Sequence, residues 1–251
     1  MFPIRDHNPS RRTPYVTLVL IAINVGVFIA TVPVLYGPPA VQQRFFLDWA
    51  LIPARIEMGD GGYTLLTSMF LHGGLLHIAG NMLFLWIFGD NLEDQMGHLG
   101  FLLFYLACGV GAGLTHVMFA QGSTIPTVGA SGAIAGVMGG YLLFFPRARV
   151  DVLLIFFIFI QIVAVPAWFM LGIWFLLQLL NGAVADPNMG GVAYWAHAGG
   201  FVFGVLFALP AWLARGGPRF WRISHGHPMH AETVLGRYRY SDVPIVRRRR
   251  R

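Results

Sequence analysis

The sequence predicts an all-α polytopic membrane protein, a bundle of six transmembrane helices. Of its 251 residues, 56% are hydrophobic and only 11% are charged, whereas an average soluble domain carries roughly 25% charge. Apolar runs recur at close to the roughly 20 residues that cross the hydrocarbon core of a bilayer as one helix. The arginines gather at the two ends of the chain and in short turns, as they do beside membrane spans.

Each predicted span rests on its own apolar run. We expect the spans at 14–34, 75–95, 99–120, 131–145, within 150–180, and at 194–213. The fourth is short because it begins only at Ser131, and the fifth contains Pro166, which should kink or shorten it. Residues 36–64 are too polar to span and apolar enough to form an interfacial first outer loop. The predicted domains are therefore an N-terminal segment 1–13, a six-span core 14–213 and a basic tail 214–251.

Arginine placement predicts the orientation in the membrane. Six spans return the chain to the side on which it starts, so the N-terminus, the turn at 146–149 and the tail share one face. Because these segments hold most of the arginines, that face is expected to be cytoplasmic, with both termini there. The orientation accounts for the net charge of +6 without a nucleic-acid partner. All 17 basic residues are arginine, a usage that suggests a GC-rich bacterial genome and hence the bacterial cytoplasmic membrane.

Polar residues at membrane depth are the main functional candidates, because an unpartnered one costs on the order of several kcal/mol. The informative ones are His72, His77, Asn81, Ser131 and His197. His77 and Asn81 are four residues apart, on one face of the second helix. With the predicted orientation all five lie toward the outer side, where they could meet in one cavity.

Such a cluster fits acyl transfer. A serine hydroxyl becomes a good nucleophile when a nearby base takes its proton, and His197 would be that base for Ser131. Backbone N–H groups at the start of the fourth helix would face the resulting oxyanion, with the helix dipole behind them. His77 and Asn81 could add side-chain donors.

Other protease mechanisms need residues that this sequence does not offer. The chain has no lysine for a Ser–Lys dyad. The segment from His77 reads HIAGN, without the glutamate and second histidine of a zinc protease motif, so neither a metal nor another cofactor is expected. The carboxylates near the spans should mostly lie at inner or loop ends, which leaves a Ser–His dyad without a triad acid.

The glycines have a structural interpretation beside the functional one. Small residues recur every four positions in the fourth and sixth spans, at Gly132 and Gly136 and at Gly200 and Gly204. This spacing is typical of faces on which membrane helices pack closely. A lone membrane serine also often satisfies itself on a backbone carbonyl, but the coincidence of five polar residues in three spans favours a reactive site.

At these residues the chain resembles the rhomboid family of intramembrane serine proteases. The matching pieces are HGGLLHIAGN at 72–81, GASG at 129–132 and AHAGGFVFG at 196–204, in the same order and span placement. The resemblance covers residues 14–213. It implies a rhomboid-like bundle that cleaves single-pass membrane proteins within or next to their transmembrane segment. The implied partners are transmembrane protein substrates and the lipid bilayer.

The resemblance also implies roles for individual residues. Ser131 is the nucleophile and His197 the base, while His77, Asn81, Gly129 and the Ser131 amide serve the oxyanion region. A further set is implied to be structural near the site: His72, Gly132, Gly136, Gly200, Gly204, and Glu93 within GDNLEDQMG.

The chain departs from the family pattern at two points. The first outer loop, RFFLDWALIPARI, lacks the Trp-Arg pair of some members, and Ala135 stands where some carry a tyrosine that stacks on the catalytic histidine. Two other functions stay open at this level: a catalytically silent rhomboid-like factor that binds membrane proteins, and a small transporter. The sequence leaves the oligomeric state unknown.

Overall fold

The computed structural model describes residues 2–156, 159–186 and 188–227. The strands are β1 Phe2–Asp6, β2 Arg149–Phe156 and β3 Phe159–Pro166. The helices are α1 Tyr15–Leu35, α2 Pro39–Trp49, α3 Pro53–Glu57, α4 Thr64–Thr67, α5 Leu75–Met96, α6 His98–Phe119, α7 Ser131–Phe144, α8 Ala167–Val184, α9 Tyr194–Ala214 and α10 Pro218–Ser224, with a 3-10 turn at Ser68–Phe70.

The predominantly helical, polytopic fold is confirmed. Among the described residues, α1, α5, α6, α8 and α9 are long and apolar enough to cross a membrane. Helix α7 has 14 residues, which at about 1.5 Å per residue is shorter than the roughly 30 Å hydrocarbon core. It lies at the centre of the bundle, nearly all of it buried, and its short length agrees with the predicted fourth span. The chain is a multi-pass integral membrane protein.

The prediction that the fifth span contains Pro166 is wrong. Strands β2 and β3 pair in antiparallel fashion, and β1 adds to β2 as a third strand. Pro166 ends β3 and precedes α8, which continues to Val184. The segment is rich in β-branched and aromatic residues, which favour strands, and its pairing partner lies almost 150 residues earlier, beyond the reach of any local pattern.

The segments outside the predicted core take some structure of their own. Residues 2–6 form β1, and the start of the predicted tail forms α10. The Arg-rich end of the chain, within 228–251, lies outside the described residues.

Glu93, on the last turns of α5, holds the start of α1. Its carboxylate accepts hydrogen bonds from the backbone N–H groups of Val16 and Thr17 and from Thr17 Oγ1, each at 2.8 Å. The residue before α1 is Pro14, which offers no side-chain cap, so this buried acid satisfies helix N–H groups that would otherwise be orphaned. His98 Nδ1 lies 2.5 Å from the same carboxylate.

Helices α7 and α9 approach so closely that only glycine fits between them. A Cβ added to Gly200 would lie 2.1 Å from the carbonyl oxygen of Gly132, and one added to Gly204 would lie 2.0 Å from that of Gly136. The four-residue glycine spacing therefore is a packing face, and it fixes the register of the two helices.

Replacing Gly204 by alanine should destabilise the bundle, because the methyl group would overlap a backbone oxygen that cannot move without its helix. Overpacking of this kind costs about 1–3 kcal/mol or more. Gly26→Ala is the matched control: Gly26 lies inside α1 with open space around its Cα, so alanine should be neutral or slightly stabilising. Thermal unfolding in detergent micelles measures both, and equal melting temperatures would contradict the packing assignment.

Asp6 attaches strand β1 to α7. The hydroxyl of Tyr141 donates to Asp6 Oδ2 at 2.7 Å, and Asn8 Nδ2 lies 3.5 Å from the same hydroxyl. Burial raises the pKa of Asp6 from 3.8 to about 8, and the nearby Asp90 adds to the rise. The folded chain therefore keeps this carboxyl mostly protonated at neutral pH.

The raised pKa makes the stability depend on pH. Because the folded pKa exceeds the unfolded one, the stability contributed by protonated Asp6 is complete below about pH 4 and is lost as the pH rises through about 8. The melting temperature of the wild type should therefore fall relative to that of Asp6→Asn between about pH 5 and pH 9. Asp48→Asn, at a half-exposed carboxylate, is the control, and a pH-independent difference between wild type and Asp6→Asn would refute the assignment.

Candidate active site

Ser131 and His197 meet at the centre of the bundle. Ser131 is the first residue of α7, and His197 lies in the first turn of α9. His197 Nε2 lies 2.8 Å from Ser131 Oγ. The glycine contacts explain this proximity: Ser131 directly precedes Gly132 and His197 precedes Gly200 by three residues, so the register of the helices sets the pair face to face.

A cavity of about 670 Å³ surrounds the pair. Its walls come from α5, α6, α7, α8 and α9 and from the loops at 126–129 and 191–193. Four of the five predicted polar residues line it: His77, Asn81, Ser131 and His197. The structure thus brings together the residues that the sequence analysis expected to converge.

His77 is placed to donate a hydrogen bond toward Ser131. Its Nδ1 lies 3.4 Å from the backbone N of Gly73, a group that can only donate. Nδ1 is therefore the acceptor, and in the neutral ring Nε2 carries the hydrogen. A Cβ built on Gly129 would lie 2.8 Å from His77 Nε2 and 3.5 Å from Ser131 Oγ, so both groups flank the same face of Gly129.

Asn81 and the start of α7 supply further donors. Asn81 is 8% exposed, and within the described ranges its Nδ2 has no hydrogen-bond partner. The first N–H groups of a helix lack intrahelical acceptors, and those of α7 begin at Ser131 itself. Donors without a partner of their own therefore line the same cavity as the serine hydroxyl.

Gly129 contributes space rather than a donor. Its backbone N–H donates to the carbonyl oxygen of Ser68 at 2.9 Å, so that N–H is already used. Its φ is +132°, a conformation that favours glycine. Because Gly129 has no side chain, its backbone leaves room for the His77 ring beside Ser131 Oγ.

His72 does not line the cavity with the other four. It is 1% exposed and packs edge-to-face on His77, with ring centroids 5.1 Å apart. Its ring therefore lies against that of His77 and outside the cavity wall.

Comparison with known proteins shows to which family the chain belongs. The sequence model of the Rhomboid domain matches residues 60–213, more than half of the chain. The chain belongs to the rhomboid family. The match includes all five polar residues of the cluster and the α7–α9 glycines.

Rhomboid relatives align over different shares of the chain. Rhomboid protein 1, mitochondrial, of Saccharomyces cerevisiae is 30% identical over 194 residues, which is 75% of this chain and 51% of that protein. RHOMBOID-like protein 6, mitochondrial, of Arabidopsis thaliana is 40% identical over 108 residues, 42% of this chain and 33% of its own length. Rhomboid protease GluP of Bacillus subtilis is 42% identical over 80 residues, 32% of this chain and 15% of its own length. The chain therefore spans about half or less of the length of these relatives.

Sequence reasoning missed two residues that contact His197 in the candidate site, both on α8. Gln178 Oε1 lies 2.9 Å from His197 Nδ1, and the ring of Trp174 stacks on that of His197, with centroids 5.9 Å apart and planes at 27°. A signal for Gln178 was present, since a polar side chain inside an apolar span is a functional candidate by default. No sequence signal marks Trp174, because aromatic residues are common in membrane helices.

Gly129→Ala should slow the reaction of Ser131 with a fluorophosphonate by about 10²-fold, the usual loss for one oxyanion donor, because the new methyl group displaces His77 Nε2. Gly122→Ala is the matched control. Gly122 has φ +71° in the same connecting segment, and an alanine there would also take a positive φ but would meet no neighbouring atom. Equal labelling rates in the two variants would show that the space at Gly129 is not needed.

Proposed function

We propose that this chain is an intramembrane serine endopeptidase that cleaves single-pass membrane proteins within or next to their transmembrane segment. One observation carries the proposal: the 2.8 Å hydrogen bond between Ser131 Oγ and His197 Nε2, inside a cavity whose donors are uncommitted. Membership of the rhomboid family supports it, and so does the similarity to Rhomboid protease GluP of Bacillus subtilis.

The first half of the reaction is acyl transfer to Ser131. His197 Nε2 takes the hydroxyl proton as Oγ attacks the carbonyl carbon of the scissile peptide bond. The carbonyl oxygen becomes an oxyanion. When the tetrahedral intermediate collapses, the imidazolium returns the proton to the departing amide nitrogen, and an ester between Ser131 and the substrate remains.

The oxyanion would be met by three kinds of donor. These are the first N–H groups of α7, Asn81 Nδ2 and His77 Nε2–H. Such donors are in place before charge develops, so little reorganisation is needed during the reaction. The positive end of the α7 dipole points the same way.

The second half is hydrolysis of the ester. A water molecule attacks the ester carbonyl carbon while His197 Nε2 accepts its proton. The same proton then goes to Ser131 Oγ as the carboxylic acid product leaves. The polar walls of the cavity and the short length of α7 support access of water to a serine within the bundle.

The proposed substrate class follows from where the serine lies. Ser131 stands among membrane-spanning helices rather than on a protruding domain, so the scissile bond must come to it from within the bilayer or its edge. A helical peptide bond is shielded by its own hydrogen bonds, so the substrate must unwind there. We place both termini of the enzyme in the cytoplasm, by the arginine distribution.

Ser131→Ala and His197→Ala should each lower cleavage by about 10⁵-fold or more, to background, while the fold is kept. Residues that act as one unit are not additive, so the double variant should be no worse than either single one. The assay is cleavage of a single-span reporter reconstituted in the same vesicles, together with fluorophosphonate labelling of Ser131, which needs no substrate.

Thr31→Val is the matched control, because it deletes another buried hydroxyl hydrogen bond, from Thr31 Oγ1 to the backbone carbonyl oxygen of Phe28 at 3.0 Å, on α1 and away from the cavity. It should keep labelling at Ser131. A folded wild type that neither labels nor cleaves would favour the alternative, a catalytically silent rhomboid-like factor that binds membrane proteins.

A further inference from the structure

Gln178 joins two partners on opposite sides of its amide group. It lies on α8 one turn after Trp174 and is 7% exposed. Its Nε2 donates to the backbone carbonyl oxygen of Trp174 at 3.1 Å. Its Oε1 lies 2.9 Å from His197 Nδ1.

The directions of these hydrogen bonds are fixed by one group. The carbonyl oxygen of Trp174 can only accept, so the amide nitrogen of Gln178 must face it. The amide oxygen then faces His197, and because that oxygen can only accept, Nδ1 must carry the ring hydrogen. A neutral imidazole has one N–H, so Nε2 presents its lone pair to Ser131 Oγ, 2.8 Å away.

A neutral amide suits this buried position. An ionised carboxylate behind His197 would have to be desolvated, at a cost that its attraction to an imidazolium repays only with excellent geometry. Glutamine supplies the acceptor oxygen without that charge. Within the described residues, Gln178 is the side chain that hydrogen-bonds Nδ1, so the histidine has an orienting partner although no triad acid was found.

Trp174 restricts the motion that the hydrogen bond leaves free. A bond at Nδ1 fixes one edge of the imidazole but allows the ring to tilt about that contact. The indole of Trp174 lies against the ring at a 27° interplanar angle, and Trp174 itself packs on Phe201, with centroids 6.1 Å apart. Ala135, where some family members carry a stacking tyrosine, is buried within α7. The stacking group therefore comes from another helix in this chain.

We propose that Gln178 is a positioning residue for His197: through the carbonyl oxygen of Trp174 it selects the Nδ1–H tautomer, so that Nε2 is free to take the proton of Ser131. The inference rests on the proposed protease function for its catalytic consequence. The tautomer itself is a property of the resting protein and can be measured whether or not the chain cleaves anything.

The first test is nitrogen-15 NMR of histidine-labelled protein in micelles, with the His197 signals assigned by their loss in His197→Ala. The wild type should show a protonated Nδ1 and an unprotonated Nε2. Gln178→Leu, which has no acceptor, should reduce that tautomer or lose it. A wild-type His197 protonated at Nε2, or an unchanged tautomer in a folded Gln178→Leu, would overturn the proposal.

The second test measures the consequence for Ser131. In Gln178→Leu the Nδ1–H tautomer would carry a buried N–H with no partner, a penalty that corresponds to about 5- to 150-fold in population. The value of kcat and the fluorophosphonate labelling rate should fall by that factor, with KM for the single-span reporter nearly unchanged. Gln42→Leu is the matched control, since Gln42 also donates to a backbone carbonyl, that of Leu35 at 3.0 Å, but lies in α2, away from the cavity.

Gln178→Glu separates positioning from packing. The carboxylate keeps an acceptor at Nδ1, so activity at high pH should return to near the wild-type value. Its negative charge stabilises the imidazolium, so the acid limb of the pH–rate profile should move to higher pH. A Glu variant with an unmoved acid limb, or a Leu variant as active as Gln42→Leu, would overturn the catalytic part. If the wild type is unlabelled but has the expected tautomer, the proposed function fails and the positioning role stands.

Discussion

The contact between the backbones of α7 and α9 is the constraint on which the site depends. Two glycines of α9 lie against carbonyl oxygens of α7, so the helices cannot slide or rotate past one another without overlap. A one-residue change of register would turn His197 by about 100° around its helix and away from Ser131. The Ser131–His197 pair therefore owes its geometry less to its own hydrogen bond than to small residues one and two turns further along α9.

The remaining helices and strand β1 position the parts of the molecule that the α7–α9 contact does not hold. Strand β1 attaches to α7 through Asp6 and Tyr141, and Glu93 ties the start of α1 to α5. Helix α5 brings His77 and Asn81 to one wall of the cavity. Helix α8 contacts the imidazole of His197 twice: Gln178 hydrogen-bonds its Nδ1, and the ring of Trp174 stacks on it. The contacts of α5 and α8 lie at the cavity that contains Ser131, whereas those of Asp6 and Glu93 hold other parts of the bundle together.

Under the proposed function, the arrangement also bears on how a substrate can reach Ser131. If α8 orients the general base, the turn that carries Trp174 and Gln178 has to remain docked on α9 while a peptide bond is at Ser131. Any opening of the cavity would then involve other parts of its wall, such as the loops at 126–129 and 191–193. Movement of α8 away from α9 would therefore remove both side chains that orient His197.

The sequence by itself determined the membrane fold class, most span limits and the polar residues that converge, because apolar length, glycine spacing and the cost of polar groups in a bilayer are local properties that residues display directly. Only the tertiary structure decided the rest. The β-sheet depends on the pairing of β1 with β2, far along the chain, so the local pattern of 150–166 predicts part of a span instead. Gln178 and Trp174 acquire their places only when α8 packs on α9, and Gly129 proves to supply space because Ser68 already takes its N–H. These are contacts between distant segments, and their geometry is set by packing that no single stretch of sequence contains.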